Sequence, residues 1–323
     1  MPKDSRVTLS IILIIIILAV GWSVWKKPAG ERGLWHLGAG TADKGGDGSD
    51  ASLSASGGSN LNDTSDQGIN ADLGNVDAVL GGLDNDFSKS APGSDEQSVA
   101  QGDADLAKVI ANADLAISAR ITALTTLGER ASMMKYASDS EKAALSAEAN
   151  SEIASLNQLK AKIDAETDAD TAASDAGTLS TDYKIYTLVV PKGYVMLSAD
   201  RASGIVGLLT NIEAKLKARI NASESAGNDA ASLNGTLADL TAKLNDANSQ
   251  AQAAEAAVAG LSPDNGGSSV ADANSAALLS GREHIQAAIA DLKAARDDAG
   301  SILAGLKEAK VPLNANSSAT LTQ

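Results

Sequence analysis

Leucine and alanine recur at alternating steps of four and three residues over the carboxyl-terminal third of this 323-residue chain. This heptad spacing places them on one face of an α-helix and is typical of a coiled coil. The turn-forming segment 262–267 separates two such helices, so the pattern predicts an antiparallel hairpin. The repeating positions are Leu233, Leu237, Leu240, Leu244, Ala247, Ala251, Ala254 and Val258, then Leu278, Gly281, Ile285, Ala288, Leu292, Ala295, Ala299, Ile302 and Leu306.

The amino-acid composition agrees with helices that pack closely, with little space between them for bulky side chains. Hydrophobic residues make up 44% of the chain but aromatic residues only 2%, so helices must pack through small side chains. The chain has no cysteine, which excludes disulfides, thiolate catalysis and cysteine-ligated metals. Its net charge of −15 argues against nucleic-acid binding, because neutralising phosphates requires clustered Lys and Arg.

Four more helices are expected upstream of the hairpin. The first is predicted near 103–136, and Ser138 with Glu141 forms a capping box for a second that ends near Glu166. A third, from about residue 168, should stop at Pro191, and a fourth should begin near Tyr194 and end near Ser225. The fold class expected for residues 103–312 is therefore all-α, an elongated antiparallel bundle followed by a disordered tail at 313–323.

After a short tail at 1–6, residues 7–25 form an uncharged apolar run. As a helix it is about 28 Å long, close to the hydrocarbon thickness of a bilayer. Trp22 and Trp25 stand where an interfacial aromatic belt would lie, which favours a single transmembrane anchor. A secretory signal cleaved after Gly21 is the alternative.

Flanking charges do not fix the orientation of that segment. Lys3 and Arg6 precede it, and Lys26, Lys27 and Arg32 follow it. The sequence favours an inside amino terminus and a carboxyl part outside the cytoplasm, in a single-pass membrane protein. Signal cleavage would instead give a secreted protein.

Residues 26–102 are rich in Gly, Ser, Asp and Asn, which predicts a flexible acidic linker. A short amphipathic segment at 69–87 interrupts it. Two interpretations fit this segment: a helix that docks on a partner, or a helix that packs on the protein's own bundle. The second is favoured, because glycines make the helix too weak to stand alone. Its apolar positions are Ile69, Leu73, Val76, Val79, Leu80, Leu83 and Phe87.

Tyrosines cluster at one point of a chain that is poor in aromatic residues. Tyr183, Tyr186 and Tyr194 flank Pro191. They could form a partner-binding patch at the end of the bundle. The favoured interpretation is a helix-helix corner, where tyrosine rings fill the junction and their hydroxyls reach water.

No catalytic, cofactor or metal site is predicted. His284 lies beside a heptad position without a patterned acid or nucleophile, and His36 lies in the linker. Asp84, Asn85 and Asp86 begin like a calcium loop, but Lys89 stands where the turn glycine belongs. The sequence therefore predicts a protein that is not an enzyme.

A resemblance to a known family is carried by the central segments 120–135, 156–163, 183–186, 189–192 and 199–201. These segments resemble uncharacterised membrane-anchored helical surface proteins of ultrasmall, reduced-genome bacteria. The resemblance implies a surface location and carries no activity or binding residue. We therefore expect a membrane-tethered structural or protein-interaction role at the cell envelope, with an unidentified protein partner and possible homo-oligomers through the coiled coil. A coiled-coil component of a signalling or export assembly is the alternative.

Overall fold

The computed structural model describes residues 63–93, 105–262 and 268–309. These residues are all-α and contain no β-strand. The expected anchor at 7–25, most of the linker and the tail at 313–323 lie outside them. The elements are α1 (Asp66–Lys89), α2 (Leu106–Ser132), α3 (Asp139–Asp164), α4 (Ala169–Thr178), two π-helical segments π1 (Leu179–Tyr183) and π2 (Ile185–Val189), α5 (Val190–Ser225), α6 (Ala231–Val258) and α7 (Ser268–Glu308).

Helix α1 is the amphipathic segment expected at 69–87, and it packs on α5 and α7. Ser65 caps it, since its hydroxyl accepts the Gly68 N–H at 3.0 Å. The predicted apolar positions are buried, apart from the partly buried Phe87. The interpretation as a helix on the protein's own bundle is therefore confirmed.

Helices α2 and α3 form a hairpin around a short loop. The capping box is present as predicted: the Ser138 hydroxyl accepts the Glu141 N–H, and the Glu141 carboxylate accepts the Ser138 N–H. Helix α2 ends at Ser132, four residues before the expected end. Residues 133–137 form the loop instead.

The prediction that Pro191 ends a helix is wrong. Pro191 lies in the first turn of α5, where the missing N–H costs nothing because first-turn N–H groups have no partner within the helix. Gly193 continues the same helix and lies against Leu127, whose methyl would be 2.4 Å from an added Cβ. The break falls earlier, at Lys184, whose backbone is left-handed with φ 46°. Two π-helical segments flank it, so the change of direction spreads over two widened turns.

Helices α6 and α7 form the predicted antiparallel hairpin, and residues 263–267 of its turn lie outside the described part. Gly281 packs against Val258, and Gly305 against Leu233 near the opposite ends of the pair. Leu233 is partly buried, and the other predicted heptad residues are buried: Leu237, Leu240, Leu244, Ala247, Ala251, Ala254, Val258, Leu278, Gly281, Ile285, Ala288, Leu292, Ala295, Ala299, Ile302 and Leu306.

The apolar interior of the described residues forms two cores. The larger lies among α1, α5, α6 and α7 and takes in the loop ends of α2 and α3. The smaller lies among the remainder of α2 and α3, α4 and the π segments. The α2–α3 hairpin therefore links the two cores.

Helix α1 runs antiparallel to both of its main neighbours. Asp66 at its start pairs with Arg219 near the end of α5, and Asp86 at its end pairs with Arg201. On α7, Asp77 pairs with Arg296, and Asp84, which comes later in α1, pairs with Lys293, which comes earlier in α7. The start of α1 and the end of α7 thus lie at the same end of the bundle. No helix among the described residues is both long enough and apolar enough to cross a bilayer.

Candidate functional site

The tyrosines predicted to cluster contact three different neighbours. The Tyr183 hydroxyl donates to the Ser155 carbonyl of α3 at 3.3 Å, and burial raises its pKa. The Tyr186 ring lies under the Arg120 guanidinium at 5.1 Å, and its carbonyl accepts the Gly93 N–H at 2.8 Å. These contacts tie the π segments to α3, to α2 and to the chain that follows α1.

Pro191 and Tyr194 are buried, and Tyr194 is only 7% exposed. The Tyr194 ring has Lys89 and Arg130 over it, each 5.8 Å from its centre. The structure therefore places Tyr194 among α1, α2 and α5, whereas Tyr183 faces α3. Tyr183 and Tyr194 therefore lie at two different helix junctions.

The most extensive polar arrangement in the described residues follows α1. Helix α1 contains five aspartates, and every one pairs with a cation of the bundle. Together with Arg282, these cations define a surface that we call the basic groove. Its cations are Arg130 of α2, Arg201, Lys215 and Arg219 of α5, and Arg282, Lys293 and Arg296 of α7.

On the α5 side, the pairs are removed from water. The Lys215 ammonium donates to Asp72 at 2.6 Å, and the Lys215 side chain is 3% exposed. The Arg219 guanidinium donates to Asp66, and its side chain is 8% exposed. A buried cation without its partner is costly, so the α5 side requires carboxylates at these two positions of the docked helix.

On the α7 side, the pairs lie at the rim. Arg296 holds Asp77 through two parallel bonds of 2.7 Å. Lys293 donates to both oxygens of Asp84 at 3.0 Å, and both side chains are about half exposed. Such exposed pairs contribute little stability but select the register of the helix.

Asp86 is the most buried acid of α1, with a side chain 3% exposed. Arg130 donates to one of its oxygens at 2.8 Å, and Arg201 to the other at 2.9 Å. Gly82 lies beside this contact, because a Cβ there would be 2.5 Å from the Arg201 guanidinium. This glycine lets the guanidinium approach the helix backbone.

Arg282 completes the groove at the carboxyl end of α1. Its guanidinium donates to the Phe87 carbonyl at 3.2 Å and to the Ser90 hydroxyl. It also lies over the Phe87 ring, 4.8 Å from the centre. A cation at the carbonyl end of a helix is favourable for the helix dipole as well.

A second arrangement, not foreseen from the sequence, fixes the α2–α3 loop. The buried Asp200 carboxylate accepts the backbone N–H groups of Lys135, Tyr136 and Ala137 at 3.1, 2.6 and 2.7 Å. The Tyr136 ring packs over Gly204 of α5 yet remains 49% exposed. The sequence predicted a helix through residue 136, so the loop at 133–137 and its contact with Asp200 were not predicted.

One carboxyl group has a strongly shifted pKa. Burial, reinforced by the charges of Glu141 and Asp200, raises the pKa of Glu255 to about 7. Glu255 lies on α6, Glu141 lies in the first turn of α3, and Asp200 lies on α5, where its carboxylate accepts N–H groups of the α2–α3 loop. The raised pKa means that the folded protein disfavours the ionised form of Glu255, so the stability of the fold depends on pH.

The histidine and the acidic segment considered from the sequence have structural partners. His284 Nδ1 lies 2.6 Å from Gln250 Oε1 across the α6–α7 hairpin. Asp84 and Asp86 lie inside α1 and pair with cations, which a calcium loop does not allow. No group of His, Asp and Glu that could hold a metal occurs among the described residues. His36 lies outside them.

Comparison of the chain with protein-family models, curated proteins and solved structures finds no match.

Proposed function

We propose that this protein is a membrane-tethered helical protein whose bundle stands outside the cytoplasm and serves a structural or protein-interaction role at the cell envelope, without catalysis. The observation that carries this proposal is the pairing of all five α1 aspartates with bundle cations. In the sequence, helix α1 is the first described element after the apolar run at 7–25.

A tether is useful only if its junction with the anchored body is firm. Helix α1 meets this need through two kinds of contact over its length. Its apolar face is buried, with Ile69, Val76 and Leu83 at 0% exposure. Its acidic residues fix the register, because a shift by one turn would leave buried cations of α5 unpaired.

Exposed apolar side chains support an interaction role for the bundle. Leu115 is 71% exposed, Met133 61% and Tyr136 49%. Tyr and Met are enriched at protein interfaces, and the Asp200 contacts hold Tyr136 on an ordered loop. A partner is therefore expected to contact the α2–α3 loop.

Membrane attachment is tested with the full-length chain carrying a carboxyl-terminal tag in a bacterial host. We expect the protein in the membrane fraction after carbonate washing, and expect a double Ile14→Asp, Ile16→Asp variant to be soluble. A matched variant with Ile14→Leu and Ile16→Leu should remain in the membrane, because its hydrophobicity is preserved. Uncut wild-type protein in detergent-free buffer would refute the tether.

Orientation is tested by adding protease to intact cells. A bundle outside the cytoplasm is digested in intact cells, at sites in the exposed chain. Digestion that requires lysis would contradict the proposed orientation and leave the membrane attachment standing. A cytoplasmic marker protein serves as the lysis control.

A further inference from the structure

The α2–α3 loop is held by the carboxylates of two acids. Four consecutive backbone N–H groups, from Lys135 to Ser138, donate to these carboxylates. Asp200 of α5 accepts the first three, and Glu141 of α3 accepts the fourth as part of the capping box. The Ser138 hydroxyl also donates to Glu141 at 2.7 Å. Neither acid can turn away without losing hydrogen bonds that order the loop.

Glu255 of α6 is a third acid beside these two. Its side chain is partly buried, and burial together with the charges of Glu141 and Asp200 raises its pKa to about 7. The helices α3, α5 and α6 thus each bring one carboxyl group to the same place. Because like charges oppose ionisation, this arrangement is favourable only while Glu255 is protonated.

The other charged groups around this part of α6 have contacts of their own. The facing part of α7 is marked by Gly281, which packs against Val258. Lys135 of the loop and Glu283 of α7 are exposed. The remaining groups and their contacts are Lys142 with Asp139 on α3, Lys192 of α5 with Glu148 and the Leu261 carbonyl, Arg282 of α7 with Ser90 and the Phe87 carbonyl, and His284 of α7 with Gln250.

We propose that ionisation of Glu255 controls the α2–α3 loop: the loop is closed on Asp200 and Glu141 while Glu255 is protonated, and it opens when Glu255 loses its proton. Ionised Glu255 repels both carboxylates, and opening of the loop admits water that screens this repulsion. The inference rests on the proposed function in one respect, because this loop carries Met133 and Tyr136, which are expected to contact a partner. The partner-contact surface is then ordered below neutral pH and loosened above it.

The direction of the response follows from proton linkage. The pKa of Glu255 in the folded protein, about 7, lies above its ordinary value of 4.5. The stabilisation of the closed loop is therefore complete below the ordinary value and is lost as the pH rises through 7. If opening returns Glu255 to water, the ratio of open to closed loop should rise by about threefold to tenfold between pH 6 and pH 8, the lower figure allowing for partial exposure.

Hydrogen exchange of the full-length, detergent-solubilised protein tests this proposal. The protection of the amides 135–138 is measured at pH 6 and pH 8 and corrected for the intrinsic effect of pH on exchange. We expect protection to fall by about threefold to tenfold in the wild type and to stay constant in Glu255→Gln, whose amide cannot ionise. Unchanged wild-type protection would overturn the proposal, because Glu255 would then turn into water while the loop stays closed. An equal fall in Glu255→Gln would overturn it as well.

Three matched variants separate Glu255 from other titratable groups. Glu141→Gln keeps the capping box, because Gln serves at this position too, but it removes one charge that acts on Glu255. The fall in protection should therefore be smaller than in the wild type. Glu152→Gln removes an acid of α3 whose pKa is also raised by burial, and His284→Gln removes the imidazole of α7. Both should keep the wild-type fall, and loss of the fall in either variant would contradict the role of Glu255.

A spin label gives an independent readout of the loop. The chain has no cysteine, so Met133→Cys, at a position 61% exposed, carries the only label. Label mobility should increase from pH 6 to pH 8, and the increase should disappear when Glu255→Gln is added. Leu279→Cys, at a position 58% exposed on α7, is the control and should show no change.

Neither readout uses a membrane or a partner. A loop that does not respond to pH overturns this inference and leaves the proposed function standing. A full-length chain that is soluble without detergent overturns the tether and leaves the loop response intact.

Discussion

The two sides of α7 show two ways of packing a helix. Against α6, α7 buries a row of Ala, Leu and Ile in a heptad pattern, with Ala288 and Ala299 at 0% exposure. Against α1, it offers Arg282, Lys293 and Arg296 as well as apolar side chains. The first contact depends on shape, and the second depends on matching charges at fixed positions.

This difference separates stability from selectivity. Burial of apolar surface is strong but does not distinguish one amphipathic helix from another. Buried ion pairs add little net stability, but an unmatched partner makes them costly. The α6–α7 hairpin therefore acts as the stable body of the bundle, and the α1 contact as its selective attachment.

Leu240→Ala in the α6–α7 contact should cause the largest loss. Leu240 is 0% exposed, and removing a buried leucine costs about 3 kcal/mol of unfolding free energy. Chemical denaturation followed by circular dichroism measures the loss, which should be the same in low and high salt. Leu279→Ala, at a position 58% exposed, is the control and should change the free energy by less than about 0.5 kcal/mol.

Asp86→Ala should cost about 2 kcal/mol, because it leaves Arg130 and Arg201 facing each other in the α1 contact. Hydrogen exchange should show faster opening of α1 while α6 and α7 stay protected. Equal acceleration in all helices would mean that α1 is not a separate unit.

Glu255→Gln tests the partly buried carboxyl group of α6, whose pKa is raised by burial and by the charges of Glu141 and Asp200. The folded-state pKa, raised to about 7 by burial and nearby acids, exceeds the unfolded value, so wild-type stability should fall as pH rises from the unfolded pKa through 7. The variant should lack this fall and exceed the wild type by about 1 kcal/mol at pH 8, after allowance for partial exposure. Parallel pH profiles for the two proteins would contradict the assignment.

Gly81→Ala should stabilise α1 by about 0.5–1 kcal/mol, because the added methyl has open space and favours the helix. Gly82→Ala is the matched control, since its methyl meets the Arg201 guanidinium at 2.5 Å and should lose that gain. Differential scanning calorimetry and α1 hydrogen exchange measure both. A gain of equal size at both positions would show that the Arg201 contact is unimportant.

Arg296→Gln should have the smallest effect, about 0.5 kcal/mol, because its pair with Asp77 lies at the rim. The loss should vanish in 1 M salt, where screening removes the contribution of the wild-type pair. A loss that persists in high salt would indicate a packing role for the guanidinium stem.

The spacing of residues along the chain predicted the features that depend only on nearby sequence. The α6–α7 contact, the Ser138 capping box and the apolar face of α1 follow from residues three to seven apart. The heptad pattern predicted the α6–α7 contact because each helix repeats small and apolar residues along one face.

Pairing across the fold could not be predicted in this way. Asp66 finds Arg219 and Asp77 finds Arg296 only after α5 and α7 are assembled, and no local rule joins residues so far apart. The prediction that Pro191 ends a helix failed for a different reason. A proline stops a helix in its interior but is compatible with the first turn, and Lys184 had already redirected the chain. The exposure of Tyr136 could not be predicted from the sequence, because it depends on how the loop packs on α5 in the assembled bundle.

Because α1 runs antiparallel to α5 and α7, the two ends of the bundle differ. The chain from the amino terminus arrives beside Arg219, and α7 finishes at that same end, whereas Lys192 meets the Leu261 carbonyl roughly a helix length away. With α5 about 54 Å long, the described helices have two well-separated ends: Arg219 and the end of α7 lie at one, and Lys192 and the start of α5 lie at the other.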